Sequence, residues 1–328
     1  MTAAPGLTLG VATERMQSAR WTRLRQLRRS PLAFTAACVL VVLVVIAVTG
    51  PLFASAPGNQ QNLNLRFQAP FTLKYGGWFV LGGDSLGRPM LAQLILGTRT
   101  TFIVAAASVG CAAVVGMATG LVSGYFGGWL DAAVMRLGDI LMTIPSLLLA
   151  LVVLYVLSPS VLNLIMVLAV TRLPIYMRTA RAQTLSVREQ VFIEASRSIG
   201  TRTSRIIMRD IRPLIVPTIL TVAMLEVATV ILAAAGLSFL GVGLQRPSVD
   251  WGLMVADGRD YLTNAWWDTV FPGIMIVITA MSANILSNWL RATGAGGQQA
   301  SSIAVVAAAV TDDGRGAAAA AAGGEVTP

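Results

Sequence analysis

Two charged residues stand where charge is costly: Arg172 and Glu226 fall inside long apolar runs. A second group, Phe192, Glu194, Ala195, Arg197 and Gly200, lies in a basic stretch between those runs. A third, Asp84 and Arg88, sits in a Gly-rich turn, and Trp251 follows in a later polar segment. These residue types suit ion pairing, ligand contact and docking rather than bond breaking. Charges placed in lipid mark pathways or contacts with partners. The chain has no His, and both of its cysteines, Cys38 and Cys111, fall in apolar runs. Neither a metal site nor a disulfide framework is expected, and the two thiols read as small packing residues.

The elements that hold these residues follow from composition. Only 12% of the 328 residues are charged and 55% are hydrophobic, against about 25% charged in an ordinary soluble domain. Lipid is the main solvent for such a chain. Six apolar segments, roughly 32–54, 99–123, 137–157, 161–180, 214–237 and 269–290, each approach the ~20 residues that cross a bilayer. Long apolar runs without ten-residue alternation predict helices, so the fold class is an all-α membrane protein with six transmembrane helices.

Charge sets the orientation. The net charge of +9 is concentrated in Arg15, Arg20, Arg23, Arg25, Arg28 and Arg29 before the first span, and in Arg178, Arg181, Arg188, Arg197, Arg202, Arg205, Arg209 and Arg212 around the fourth–fifth connection. This is the positive-inside asymmetry. It places both termini in the cytoplasm, and it makes the arginines topology signals, not a nucleic-acid surface. Residues 1–31 form a basic cytoplasmic segment in which 21–30 suits a short helix on the inner leaflet, in contact with membrane lipid. The first apolar run is too long for a cleaved signal and reads as a retained anchor. Outside loops cover 55–98 and 238–268, and an inside loop covers 181–213. Residues 292–328, rich in Ala and Gly, read as a disordered cytoplasmic tail.

The inside loop has the marks of a built object. Ser186 and Glu189 fit a capping box. A helix then runs to Ile199 and meets Gly200, a residue suited to a left-handed stop. Val191, Ala195 and Ile199 repeat every four residues with Phe192 beside them, which makes the helix amphipathic. Thr203 or Ser204 caps a second helix through Ile211, and Pro213 begins the fifth span. The apolar stripe must face something other than water, either the spans above it or a groove on a partner.

The order Glu194-Ala195-Ser196, Gly200, Ile206, Pro213 resembles the "EAA" loop of permease subunits of binding-protein-dependent ABC importers. Gly82-Gly83-Asp84-Ser85-Leu86-Gly87-Arg88 resembles the G-T-D-x-x-G-R of the dipeptide/oligopeptide/nickel branch. GYFGGWLDAAVMRLGDILMTIPSLLLA (124–150) and AGLSFLGVGLQRPSVDWGLMVADGR (235–259) are similar to its second, C-type, permease, and so is the basic WTRLRQLRRSPLA lead-in. The likeness covers roughly residues 21–292. Gly83 departs from the usual Thr, Pro89 from the frequent Asp, Arg212 from Leu, Arg172 from a small residue and Ala234 from Glu.

The resemblance implies a type I ABC importer permease fold in the cell membrane, with residues 186–199 as a coupling helix. Phe192, Glu194, Ala195, Arg197 and Gly200 are then the ATPase-coupling candidates. Arg172 and Glu226 are pathway candidates; Arg172 alternatively snorkels, and Glu226 meets a peptide amine, Arg172 or the partner permease. Asp84, Arg88 and Trp251 are candidates for docking an external binding protein. The only lysine, Lys74, lies in Leu-Lys-Tyr, so the chain carries no Walker A loop and is no enzyme. ATP and Mg belong to two ATPase subunits, or one fused ATPase. The implied partners also include a second homologous permease and an external binding protein or lipoprotein. Short peptides are the expected substrate. The alternatives are nickel or another solute of the same branch, an ion-driven secondary transporter, and a membrane scaffold that recruits a cytoplasmic partner.

Overall fold

The computed structural model describes residues 26–293, so the expectations for residues 1–25 and for the tail beyond 293 lie outside the described residues. Within it, Pro31–Leu286 forms one compact unit. Of the second unit, residues 26–29 and 287–293 are helical.

From Pro31 onward nine helices carry the described chain: α1 (Pro31–Asn59), α2 (Met90–Phe126), α3 (Gly128–Thr143), α4 (Ser146–Val156), α5 (Val161–Arg188), α6 (Val191–Ser198), α7 (Thr203–Phe239), α8 (Trp251–Gly258) and α9 (Trp267–Thr293). Short 3₁₀ turns sit between α1 and α2 at Leu63–Leu65, Leu73–Tyr75 and Gly77–Phe79. Five helices, α1, α2, α5, α7 and α9, are long and apolar enough to cross a membrane. Their outward faces are apolar, as on α1 with Val41, Val45, Val48 and Leu52 exposed, which lipid tolerates and water does not.

The third expected span, 137–157, is not one helix. α3 and α4 meet at a bend of 85°. Pro145 causes it, because proline has no N–H to donate and pushes the preceding residue out of helical geometry. Ile144 accordingly sits at φ −93°, ψ 127°. The 11 residues of α4 reach only about 16 Å, half the hydrocarbon thickness. α3 is tied sideways to α5 by Arg181, which grips Asp131 with Nε and Nη2 at 2.5 and 2.6 Å, and by Arg178 on Asp139 at 2.5 Å.

α2 begins at Met90, not at 99, and its 37 residues extend for about 55 Å, well beyond the bilayer core. It packs tightly on α5 through a glycine stripe. A Cβ at Gly116 would lie 2.5 Å from the Tyr176 Cβ, one at Gly120 would lie 2.4 Å from the Met177 carbonyl oxygen, and one at Gly124 would lie 2.8 Å from the Thr184 Cβ. Close backbone approach of this kind is the usual role of small residues between membrane helices. Gly110, off the four-residue spacing of the stripe, faces open space.

α7 absorbs what the sequence suggests as a separate short helix and a span starting at Pro213. The chain is helical from Thr203 to Phe239, with a π-helical segment at Ile206–Ile211 in which the Arg212 N–H bonds the Ile207 carbonyl. No side chain caps the start at Arg202.

Candidate functional site

The segment after α5 differs from its expected start and agrees at its expected stop. The Ser186–Glu189 capping box does not form. α5 continues through Arg188, whose guanidinium donates to the carbonyls of Gly124 (3.0 Å) and Tyr125 (3.4 Å), and Glu189 becomes its C-cap. α6 starts instead from Gln190, in extended geometry at φ −79°, ψ 142°. It ends at Gly200 with φ +76°. The Thr201 N–H bonds the Ser196 carbonyl (3.1 Å) and the Gly200 N–H bonds that of Arg197 (2.9 Å). These two bonds make a Schellman stop, which needs a residue at ease with positive φ.

α6 anchors itself with one residue the sequence pattern did not single out. Ile193 is fully buried against the ends of the long helices, whereas Val191 and Ile199 are 79% and 81% exposed. Ala195 is exposed as well and Phe192 half-exposed. The stripe Val191-Ala195-Ile199 therefore does not pack under the spans; it faces outward, without a partner among the described residues. Glu194 is exposed and makes no ion pair among the described residues. Arg197 turns away from it and lies over the Tyr125 ring, 5.1 Å from the centroid.

Arg172 and Glu226 are brought together. The Arg172 Nε lies 3.7 Å from the Glu226 Oε2, across α5 and α7. Arg172 thus points into the bundle and does not snorkel. Glu226 is buried, as is Tyr176 one turn beyond Arg172. Arg172 Nε, Glu226 Oε2 and the Tyr176 hydroxyl each lack a hydrogen-bond partner among the described residues. The signal for Tyr176 in the sequence is its i+4 spacing from Arg172 on the same helix face.

At the opposite end of α2, the three expected docking residues are placed as structural parts. Asp84 is 3% exposed. Its carboxylate accepts from the backbone N–H of Leu86 and Arg88 (both 2.8 Å) and from the Arg88 Nε (2.7 Å). Gly87, at φ +70°, closes the turn beneath Asn62, whose carbonyl oxygen would lie 1.8 Å from any Cβ there. Trp251 is fully buried; its indole N–H donates to the Leu94 carbonyl (3.2 Å) and its backbone N–H to the Thr101 hydroxyl (3.4 Å). Neither Asp84 nor Trp251 is presented to an outside partner. Their burial stabilises the loop against α2 and α8.

What this end does present is a cleft of about 450 Å³ between the 85–86 turn, the end of α7 and α8, lined by Arg246, Asp257, Arg259, Asp260 and Tyr261 among others. The Arg246–Asp257 pair (2.7 Å) holds its wall. Asp250 caps α8 by accepting from the N–H groups of Gly252 (3.1 Å) and Leu253 (3.2 Å). Burial pushes its carboxyl up to about 6 in spite of those bonds.

Comparison with known proteins places this arrangement. Residues 116–293 match the family described as binding-protein-dependent transport system inner membrane component. Residues 20–70 match the N-terminal TM domain of oligopeptide transport permease C. The probable D,D-dipeptide transport system permease protein DdpC of Escherichia coli K12 is 34% identical over 265 residues, 81% of this chain and 87% of that protein. The dipeptide transport system permease protein DppC of Alkalihalophilus pseudofirmus is 34% identical, over 81% of this chain and 86% of its own length. The glutathione transport system permease protein GsiD of Escherichia coli O6:K15:H31 is 35% identical, over 81% and 87%. Among solved structures, an inward-facing form of the MetNI methionine ABC transporter has a chain that aligns with a TM-score of 0.51 and 21% identity, covering 62% of this chain and 97% of that one; this likeness concerns the fold alone. With the family matched over more than half its length, the chain belongs to the binding-protein-dependent transport system inner membrane components, as a multi-pass permease component of an ABC importer.

Proposed function

We propose that this chain forms one half of the translocation pathway for short peptides, delivered by an external binding protein and driven by ATP hydrolysis on partner subunits. The observation that carries this reading is the α6 stripe. Val191, Ala195 and Ile199 form an apolar row on a short, sharply terminated helix, turned away from the chain's own core. Exposed apolar rows on such a helix fit a groove of a partner. Glu194, exposed beside the row and without an ion pair among the described residues, offers a charge for that partner to meet.

The chain's only lysine is Lys74, so ATP and Mg are assigned to one fused or two separate ATPase subunits. Nucleotide-driven closure of those subunits carries α6 with it and switches the helices between two facing states. A second, homologous permease completes the pathway. The binding protein or lipoprotein is assigned to the outer cleft at Arg246, Asp257 and Arg259 in place of Asp84 and Trp251. Peptides are the favoured cargo because the similar permeases are named for dipeptides and glutathione. No residue here singles out nickel.

The test is uptake. Cells lacking this chain take up a labelled dipeptide more slowly, and restoring the wild-type chain restores the rate. Uptake that is unchanged by its loss, while the protein still purifies with an ATPase, would reassign the cargo; purification without any ATPase would overturn the importer assembly.

A further inference from the structure

α2 touches functional elements at both of its ends. Near its start, the Leu94 carbonyl and the Thr101 hydroxyl hold Trp251, the first residue of α8, and Phe102 meets the Trp251 ring edge-on at 6.2 Å. At its last turn, the Gly124 and Tyr125 carbonyls, left without helical donors, accept from Arg188, while the Tyr125 ring carries the Arg197 guanidinium. Two arginines from the α5–α6 corner thus grip one helix end. Cations suit that end because the carbonyl dipoles leave it negative.

α6 needs this grip. A helix of 8 residues does not hold its own shape or direction in water. Ile193 is its only buried side chain and acts as a pivot, about which the helix is free to swing unless something fixes it sideways. Arg197 over Tyr125 is that second point, four residues and one turn from Ile193.

α2 is also the stiffest of the three long helices at this corner, α2, α5 and α7, since α5 carries Pro174 in its interior. It runs 37 residues without a proline. α7 carries a six-residue π segment at Ile206–Ile211, in its first turns, and Pro217 in its interior. Both are places where a helix yields, so a displacement entering α7 is absorbed near its start.

We propose that Tyr125 is a positioning residue that seats α6 through Arg197, and that α2 carries the displacement of α6 to the Trp251-anchored outer segment. This rests on α6 being the ATPase-facing helix. In it, ATP-driven movement below and binding-protein engagement above are linked through one rigid helix with a cation–ring joint at its lower end and an indole joint at its upper end.

The experiment uses the complete importer, purified with its ATPases and second permease and reconstituted in lipid nanodiscs. ATP hydrolysis is measured with and without ligand-loaded binding protein, and the ratio of the two rates is the readout. Tyr125→Phe keeps the ring face and is expected to keep the wild-type ratio. Tyr125→Ala and Arg197→Ala are each expected to lower the ratio about fivefold, the scale of one cation–π contact. The double variant is expected to be no worse than either single one. Arg197→Ala changes an exposed side chain, so it keeps the test open if Tyr125→Ala does not assemble. Wild-type ratios in the assembled alanine variants, or losses that multiply in the double variant, would overturn the role of the joint. A wild-type complex whose hydrolysis never responds to loaded binding protein would instead overturn the reading of α6 on which the joint depends.

Discussion

Arg172 and Glu226 approach to 3.7 Å across α5 and α7, close enough to attract and too far to share a hydrogen bond. With the buried Tyr176 hydroxyl, they leave three polar atoms inside the bundle without a hydrogen bond among the described residues. Removing one member of a buried pair strands the other, at a cost of about 3–5 kcal/mol, whereas removing both charges together is far milder. Glu226→Gln and Arg172→Gln are each expected to lower the thermal midpoint of the purified protein, and the double variant to recover most of the loss. Independent, additive losses would mean that the two side chains do not act as a pair.

The glycine stripe sets the distance between α2 and α5. Gly120→Ala would push a Cβ to 2.4 Å from the Met177 carbonyl, and overpacking of this kind costs about 1–3 kcal/mol. Gly110→Ala meets nothing within 4 Å and is expected to be neutral or to stabilise by up to about 1 kcal/mol through helix propensity. Thermal unfolding of both variants in the same detergent checks the contrast.

Gly200 is tested by its backbone. At φ +76° a β-branched residue is strained by about 1–2 kcal/mol or more, while Asn tolerates the conformation. Gly200→Val is expected to misdirect the exit of α6 and reduce ligand-stimulated ATP hydrolysis in the assembled importer; Gly200→Asn is expected to stay near wild type. Equal activity in the two would mean that the stop does not matter for coupling.

Asp250 gives a pH signature. Its carboxyl is held up to about 6 in the folded chain, chiefly by burial, and lies near 4 when unfolded. The folded state therefore binds this proton more tightly. The stability it contributes is full below about pH 4, is lost as pH rises to about 6 and stays lost above that. Asp250→Asn removes the titration. The wild-type midpoint is expected to fall relative to that of Asp250→Asn between those values and to run parallel above them. Curves parallel throughout would place Asp250 in a wetter setting.

What the sequence made legible was what local pattern encodes. Apolar length located the long helices, and the need for a left-handed residue located the stop at Gly200. The Pro145 break stands in the sequence as Ile-Pro inside an apolar run, but averaging hydropathy over twenty residues hides a two-residue interruption. The Ser186–Glu189 box failed because a contact 64 residues away, from Arg188 to Gly124, extends α5 past it. Trp251 looked like an outer-surface aromatic because its partner, Leu94, is 157 residues distant. Ile193 escaped notice because a four-residue repeat identifies an apolar row but not which way it faces.

The most direct measurement is photo-crosslinking in native membranes from a probe residue placed at 191 or 199, on the exposed row of α6. The expected product joins this chain to an ATP-binding subunit from both positions, with no such product from the buried position 193. Adducts confined to lipid or to this chain itself, in membranes where the ATPase is present, would contradict the account of α6 as the coupling helix.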